Sequence, residues 1–166
     1  MFEIGSVVSY GSTGVCKVSG EMQQKVKGEM KKYLVLKPVY KNNSTVYVPV
    51  DNENLLSKLK PVLTKADAED IIEAMSEERA EWIKSDSERT RYFRETLSDG
   101  NIKSIAIMVR TLYKHRKSQF AKGRKLHASD EYFFKDAEEL LFDELAMALE
   151  IRPEEVGAYL NERLAN

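Results

Sequence analysis

The sequence is poor in the residues that cross-link or break a chain. Its 166 residues include one cysteine, four prolines, eight glycines and two histidines. A single cysteine, Cys16, excludes an intrachain disulfide framework and is typical of a reducing cytoplasm. No apolar run approaches the roughly 20 residues of a membrane-spanning helix. The opening segment MFEIGSVVSYG carries no basic residue, so we expect no secretory signal there.

Motifs for catalysis and metal binding are also missing. There is no phosphate-binding glycine loop, dinucleotide fingerprint or nucleophile elbow. His115 and His127 have no partner at a metal-ligand spacing, and acidic neighbours such as Glu77 and Glu78 do not face a common point on a helix. We therefore expect no enzyme, cofactor or metal. A small enzyme remains an alternative, and it would require a pocket with converging polar groups and perturbed pKa values.

The charge is unevenly distributed along the chain. The net charge of −1 argues against nucleic-acid binding when it is taken alone. Residues 86–127, however, carry 11 Lys and Arg against 4 Asp and Glu, whereas residues 128–166 carry 3 against 11. A local positive potential of this kind attracts a phosphate backbone. The alternative is a solvated helix face whose cations pair with acidic neighbours.

The first 60 residues predict short β-strands joined by tight turns. We predict strands at 6–10, 15–18, 32–38 and 44–50, and turns at 11–14, 27–29 and 41–43. Pro49 places the end of the last strand at a sheet edge or bulge. Four or five short strands in so few residues predict a small, strongly bent β-barrel.

The remaining hundred residues predict helices. Thr64 followed by Asp67 resembles a capping box and opens a helix that we expect to run to about Lys84. Further helices are predicted from Ser85 or Ser87 to about Leu97, at 102–117, from Ser129 or Asp130 to Leu149, and from Pro153 through Leu164. The fold class is α+β, a β module followed by an all-α bundle of about five helices. The expected boundary lies within 54–63, giving domains 1–58 and 59–166.

Several segments carry a family resemblance in the right order. VKGEMKKYLVL at 26–36 and TVYVPV at 45–50 resemble the hairpin and the following Val-Pro strand of the CarD/CdnL family of bacterial transcription regulators. FEIGSVVSYGSTGVCKV at 2–18 is similar to the opening of that family, with Ser6 where aspartate is usual. LSDGNIKSIAIMVRTLYKHRK at 97–117 and SDEYFFKDAEELLFDELAMAL at 129–149 resemble two of its helices.

The resemblance implies a fold and a function. Residues 1–58 would form a Tudor-like domain, similar to the polymerase-interacting domain of the transcription-repair coupling factor, that docks edge to edge on the β subunit of RNA polymerase. Residues 59–166 would contact the backbone and minor groove of double-stranded promoter DNA at the upstream edge of the bubble and tune open-complex stability. No cofactor, membrane or small-molecule substrate is implied, and the expected location is the cytoplasm, with the polymerase at the nucleoid.

The resemblance also places candidate site residues. For the polymerase, they lie on the Val-Pro strand and on the hairpin before it: Thr45, Tyr47, Pro49, Lys25, Lys27 and Lys32. Arginine is frequent in the family where Tyr47 stands and near Gln24, and both arginines are absent here. The other interpretation of Tyr47 is a half-buried strand aromatic.

For DNA, the candidates are the cations of the basic stretch together with the only tryptophan: Trp82, Lys84, Arg89, Arg91, Arg94, Arg110, Lys114, Arg116, Lys122, Arg124 and Lys125. The family inserts a tryptophan into the minor groove, about four residues before a tyrosine. Trp82 precedes the Arg91-Tyr92 pair by about ten residues, so it is either this wedge or a core residue. Asp130 and Glu131 stand where the family often has lysine. A polymerase-binding adaptor without significant DNA contact remains the alternative function.

Overall fold

The computed structural model describes residues 2–41 and 44–164, so Asn42 and Asn43 of the turn predicted at 41–43 lie outside the described residues. The chain divides into two units, one ending at Val62 and the other beginning at Leu63. The first unit contains a five-stranded antiparallel sheet, and the second contains five helices. The predicted α+β class is therefore confirmed.

The strands of the first unit pair in the order β4-β3-β2-β1-β5. Their bounds are β1 (Val7–Tyr10), β2 (Gly14–Val26), β3 (Glu29–Pro38), β4 (Val46–Pro49) and β5 (Leu59–Pro61). β2 and β3 form a long hairpin whose register shifts between Val18 and Gly20. A register shift of this kind bends a strand and increases its twist.

The turn of the β2–β3 hairpin follows from its two central residues. Lys27 and Gly28 have φ angles of 50° and 85°, and Val26 pairs with Glu29 on either side of them. Two-residue hairpin turns favour positive φ at both positions, because their twist then matches that of the strands. The predicted turn at 27–29 is thus confirmed, and both strands reach further toward it than their alternation predicted.

Alternation along the strands sets the core of the first unit. On β3, Leu34 and Leu36 are buried, while Tyr33 and Val35, which alternate with them, are half-buried. Side chains of successive strand residues point to opposite faces, so the two leucines face the core and the other two face outward. The buried cluster consists of Val8, Tyr10, Cys16, Val18, Leu34, Leu36 and Val48.

Two short elements of the first unit were not predicted from the sequence. A single-turn helix α1 (Glu53–Leu56) is capped by the Asn52 side chain, which accepts a hydrogen bond from the Leu55 N–H at 3.1 Å. β5 then pairs with β1 through Val8 and Pro61. β5 thus belongs to the first unit, which extends to Val62. A three-residue strand is too short to show alternation.

The second unit consists of α2 (Lys65–Glu77), α3 (Asp86–Asp99), α4 (Ile102–Ala121), α5 (Ala128–Leu149) and α6 (Pro153–Arg163). The capping box of α2 is present, with the Asp67 N–H donating to Thr64 Oγ1 at 3.0 Å and the Thr64 N–H donating to Asp67 Oδ2 at 2.9 Å. α5 is the most buried helix and packs against each of the other four. Its inward face carries Phe133, Phe134, Ala137, Leu140, Leu141, Leu145 and Ala146.

The first helix of this unit ends earlier than predicted. α2 stops at Glu77, and Glu78 has an extended backbone with ψ 134°. The Glu78 carboxylate accepts hydrogen bonds from the Ala80 N–H and from Lys114 Nζ of α4. These contacts hold residues 78–85 out of the helix, although no glycine or proline interrupts the pattern. The prediction of a helix to Lys84 is therefore wrong.

The start of α5 also differs. The helix begins at Ala128, and His127 occupies the N-cap without a side-chain hydrogen bond. Neither Ser129 nor Asp130 is the cap, because Asp130 lies in the first helical turn with its carboxylate engaged elsewhere.

Candidate polymerase edge and nucleic-acid cleft

One side of β4 is unpaired among the described residues, because β4 is the last strand in the sheet order. We call this side, from Thr45 to Pro49, the β4 edge. Tyr47 lies in its centre and is 51% exposed, so about half of its surface is available for contact. Val48 beside it is fully buried and anchors the strand in the core.

The hydrogen-bond pattern determines which backbone groups the β4 edge presents. The Val50 N–H donates to the Lys32 carbonyl at 3.1 Å, and Tyr47 pairs with Val35 in the same register. Hydrogen-bonded pairs alternate along an antiparallel ladder. Tyr47 and Pro49 therefore occupy positions whose N–H side faces away from β3. Proline has no N–H, so Pro49 fits this outward position without loss of a sheet hydrogen bond.

The hairpin cations are exposed but not equivalent. Lys25 and Lys27 lie at the far end of the β2–β3 hairpin, and Lys27 is a turn residue. Lys32 pairs with Glu21 at 3.6 Å, and both side chains are largely exposed. An exposed pair of this kind contributes little to stability, about 0–1 kcal/mol, so Lys32 can exchange partners readily.

In the helical unit, residues 78–85 carry Trp82 against α4. The indole stacks on the His115 ring with a centroid separation of 3.6 Å and an interplanar angle of 4°. Phe93 of α3 lies 6.1 Å away. Trp82 is half-buried, so it extends the aromatic cluster of the core toward the surface. Burial lowers the pKa of His115, and Arg89, Lys122 and His127 add to this effect against Asp130. The neutral imidazole therefore stacks on the indole.

Arg89 lies beneath this segment and is an internal ion pair, not a surface cation. Its guanidinium donates to both oxygens of Asp130 at 2.9 Å and to Asp86 at 2.8 Å. The remaining N–H groups reach the carbonyl of Ile83 at 2.8 Å and that of Lys84 at 3.5 Å. Burial alone would lower the pKa of Arg89, but the two carboxylates outweigh it and raise that pKa.

These contacts correct the assignment of Arg89 to DNA. The side chain is 3% exposed, and all five donors are engaged within the unit. It instead fixes the backbone on the C-terminal side of Trp82. Asp130, which stands where the resembled family often has lysine, is the partner that makes this arrangement possible.

A cleft of about 350 Å³ opens beside Trp82. We call it the basic cleft, because its walls include Lys84, Arg124, Lys125 and His127. His115 and Gln119 of α4 line it as well, and the two side chains are hydrogen-bonded at 3.1 Å. From the sequence-predicted set, the structure thus brings together Trp82, Lys84, Arg89, Arg124 and Lys125, with Arg89 buried in the cleft wall. Sequence analysis did not assign His115, Gln119 or His127 to this site, since only the fold places α4 behind Trp82.

The other predicted DNA residues lie elsewhere in the unit. Arg91 and Arg94 are exposed on α3, and Lys122 is exposed at the end of α4. Lys114 pairs with Glu78 at 3.4 Å, and Arg116 lies 3.9 Å from Glu131. Arg110 is a second correction, because it is only 7% exposed and borders a different pocket. Burial in the packed helical unit removes it from a DNA-facing surface.

Two family models match the chain. The CarD-like/TRCF RID domain matches residues 2–60, and the CarD C-terminal domain matches residues 70–161. Together they cover most of both units. The chain belongs to the CarD family. It is therefore a transcription-associated protein with an RNA polymerase-interacting domain, in a family of non-enzymatic transcription factors.

This CarD-family chain carries its two candidate surfaces on different units, the β4 edge before Val62 and the basic cleft after Leu63. Among the described residues, no helix is both long and apolar enough to cross a membrane. Within residues 2–41 and 44–164, no group of three or more His, Cys, Asp or Glu could hold a metal ion.

Proposed function

We propose that the protein regulates transcription initiation by binding the β subunit of RNA polymerase through the β4 edge and holding promoter DNA in the basic cleft. The observation that carries the proposal is the free edge at Tyr47, in a domain whose family interacts with the polymerase. A partner strand added there would form main-chain hydrogen bonds, while Tyr47 would set its register. The same polymerase contact would place the protein in the cytoplasm.

The β4 edge supports a short contact. Tyr47 presents its N–H and carbonyl outward, whereas Pro49 has no N–H to offer and its carbonyl accepts from Asn52 at 3.3 Å. Affinity would then depend on the backbone at Thr45 and Tyr47, supplemented by the exposed cations of the hairpin.

Proline substitution at Tyr47 tests the docking mode. Tyr47→Pro removes one outward N–H and leaves the hydrogen bonds to β3 in place, whereas Tyr47→Ala removes only the side chain. Association of the full-length variants with purified β subunit should fall at least tenfold for Tyr47→Pro and less for Tyr47→Ala. Circular dichroism checks that the sheet is retained. A folded Tyr47→Pro protein that associates normally would show that docking uses another surface.

The basic cleft supports the DNA part of the proposal. Lys84, Arg124 and Lys125 lie around a half-exposed indole, which is a composition suited to phosphates and to apolar contact in a minor groove. We propose that Trp82, held by His115 and by the Arg89 contacts, presents its exposed part to DNA at the upstream edge of the bubble. Binding that favours melted DNA shifts the closed–open equilibrium without catalysis.

The salt dependence of DNA binding tests the basic cleft. Replacing Lys84, Arg124 and Lys125 together by glutamine should reduce the slope of log K against log salt by roughly two to three units, since each phosphate contact contributes about 0.9. Lys65, Lys103 and Lys135 are exposed and do not line the cleft, so their replacement by glutamine is the matched control. Trp82 is the only tryptophan, and its fluorescence reports binding directly.

A second candidate is a polymerase-binding adaptor without significant DNA contact. It is favoured by the loss of free cations, because Arg89 and Arg110 are buried and Lys114 and Arg116 lie near carboxylates. An equal salt slope for the cleft variant and its control, with normal binding to the β subunit, would select this function. The pair Arg91→Gln and Arg94→Gln tests whether the outer face of α3 is used instead.

A further inference from the structure

The helical unit contains a second pocket, which shares no lining residue with the basic cleft. It has a volume of about 270 Å³ and lies among α2, α4, α5 and α6. Its walls are largely apolar and aromatic, with Met75, Tyr113, Phe134, Phe142 and Leu160 among them. Small-molecule sites combine an apolar lining of this kind with a few polar groups, and they start near about 300 Å³.

The polar group that stands out in this pocket is Arg110. The residue is 7% exposed, and its Nε is buried without a hydrogen-bond partner. Its guanidinium carbon lies 5.8 Å from the centre of the Tyr113 ring. A buried donor without an acceptor is costly. Because Arg110 also lines the pocket, an anion bound there would lie beside a guanidinium whose Nε has no acceptor.

Among the residues that line the pocket, no carboxylate forms an ion pair with Arg110. Glu138 also lines the pocket, and no ion pair joins it to Arg110. Burial raises the pKa of Glu138, and only part of this effect is offset by Arg116. Arg116 itself contributes a second positive charge to the wall, with its guanidinium carbon 4.3 Å from the centre of the Phe134 ring.

Gly157 keeps part of the pocket open. It lies inside α6, where glycine is less favourable for helix formation than alanine. A Cβ at this position would meet one atom within 4 Å, Cε2 of Phe142 at 3.8 Å. Packing alone therefore does not require glycine, and a larger side chain would extend into space that borders the pocket.

We propose that this pocket binds a small amphipathic carboxylate, with the carboxylate on Arg110 and an aromatic or short aliphatic body between Phe134, Phe142 and Leu160. A carboxylate matches the planar donor fork of an arginine. The apolar body matches the rest of the lining. The site is separate from both proposed macromolecular surfaces, so a ligand here would act on the packing of α4, α5 and α6.

The test uses 3-phenylpropanoate as a probe and 3-phenyl-1-propanol as its neutral counterpart. Titration of the full chain, followed by amide chemical shifts, should show saturable binding of the acid with shifts at α4 and α6. The alcohol should bind at least tenfold more weakly, since a charge-assisted hydrogen bond is worth about one to two factors of ten in affinity. Equal affinity for both probes, or no saturable binding of the acid, would overturn the proposal.

Two test variants and one control variant keep the test independent of folding defects. Arg110→Gln should weaken binding of the acid at least tenfold, whereas Lys103→Gln removes an exposed charge from the same helix and should leave it unchanged. Gly157→Leu retains Arg110 but fills space beside Phe142, and it should abolish binding of the acid. Thermal unfolding confirms that each variant is folded. Binding that is unchanged in folded Gly157→Leu protein would place the ligand elsewhere and overturn the assignment.

Discussion

The guanidinium of Arg89 uses all of its N–H groups inside the helical unit. Two go to Asp130, one to Asp86, and two to the carbonyls of Ile83 and Lys84. In the sequence, Arg89 and Arg91 look equivalent within a basic run. They differ in the structure because Arg89 binds the carboxylate of Asp130, 41 positions further along the chain. Burial of Arg89 therefore could not be predicted from its neighbours.

Removal of Asp130 should destabilise the helical unit strongly. Asp130→Ala leaves the Arg89 charge buried with one exposed partner, Asp86, and breaking a buried pair from one side costs about 3–5 kcal/mol. Urea unfolding measures the loss. Arg163→Ala breaks an exposed pair with Glu69 and should cost under about 1 kcal/mol. A loss of that smaller size for Asp130→Ala would mean that the buried pair is not structural.

The pairing of His115 with Trp82 should make stability depend on pH. Burial lowers the folded-state pKa of His115 below its ordinary 6.5, so the unfolded chain takes up this proton first as the pH falls. The contribution is present above pH 6.5 and is lost as the pH falls toward the folded pKa. The melting temperature should therefore drop between pH 7.5 and 5, and His115→Phe should reduce this drop. The variant His127→Phe serves as the control, and an identical pH profile for wild type and His115→Phe would contradict the assignment.

At the scale of elements, residues 78–85 are the segment in which long-range contacts decide the local structure. The sequence pattern up to Lys84 favours helix, yet the helix ends before Glu78. The contact of Glu78 with Lys114 and the stacking of Trp82 on His115 stabilise the extended segment instead. By contrast, the capping box at Thr64 and the proline at the start of α6 depend on near neighbours, and both were predicted correctly.

α6 offers a direct test of helix propensity. Gly157→Ala should raise the free energy of unfolding by about 0.5–1 kcal/mol, because alanine favours the helix over glycine and its Cβ meets Phe142 only at an ordinary contact distance. Denaturant unfolding measures the gain. A net loss of stability would indicate that a side chain at this position disturbs the packing of α6.

The same distinction between local and distant contacts explains the rest of the fold. The long hairpin and the turn at Lys27-Gly28 follow from alternation and turn chemistry. β5 depends on pairing with β1 and has no pattern of its own. For the basic cleft, sequence analysis predicted Trp82, Lys84, Arg89, Arg124 and Lys125, whereas His115 and Gln119 join them only through the packing of α4.

At the scale of the whole molecule, acidic residues from outside the basic stretch neutralise part of its positive charge. Asp130 and Glu131 from the acidic last 39 residues face Arg89 and Arg116, and Glu78 faces Lys114. Exposed cations of the predicted set remain at the basic cleft, with Lys84, Arg124 and Lys125, and on α3, with Arg91 and Arg94. Net charge by itself therefore conceals both the cationic stretch and its partial neutralisation.

The two proposed surfaces should depend on each other in function. If the β4 edge delivers the protein and the basic cleft holds the DNA, either Tyr47→Pro or the triple cleft variant should abolish the effect on open-complex lifetime. The combined variant should be no worse than either one alone. Competitor-resistant lifetimes of promoter complexes measure this. Additive partial losses would mean that the surfaces act independently.

Pro49 also affects whether other copies of the chain can add to the β4 edge. A sheet edge with an unbroken row of backbone donors and acceptors can pair with further copies of the chain and so promote aggregation. Proline on an edge strand limits this pairing. With β4 only four residues long and Pro49 lacking an outward N–H, a second copy could pair only with the short stretch at Thr45 and Tyr47. We therefore expect concentrated solutions to resist fibril growth, and Pro49→Thr to lower that resistance.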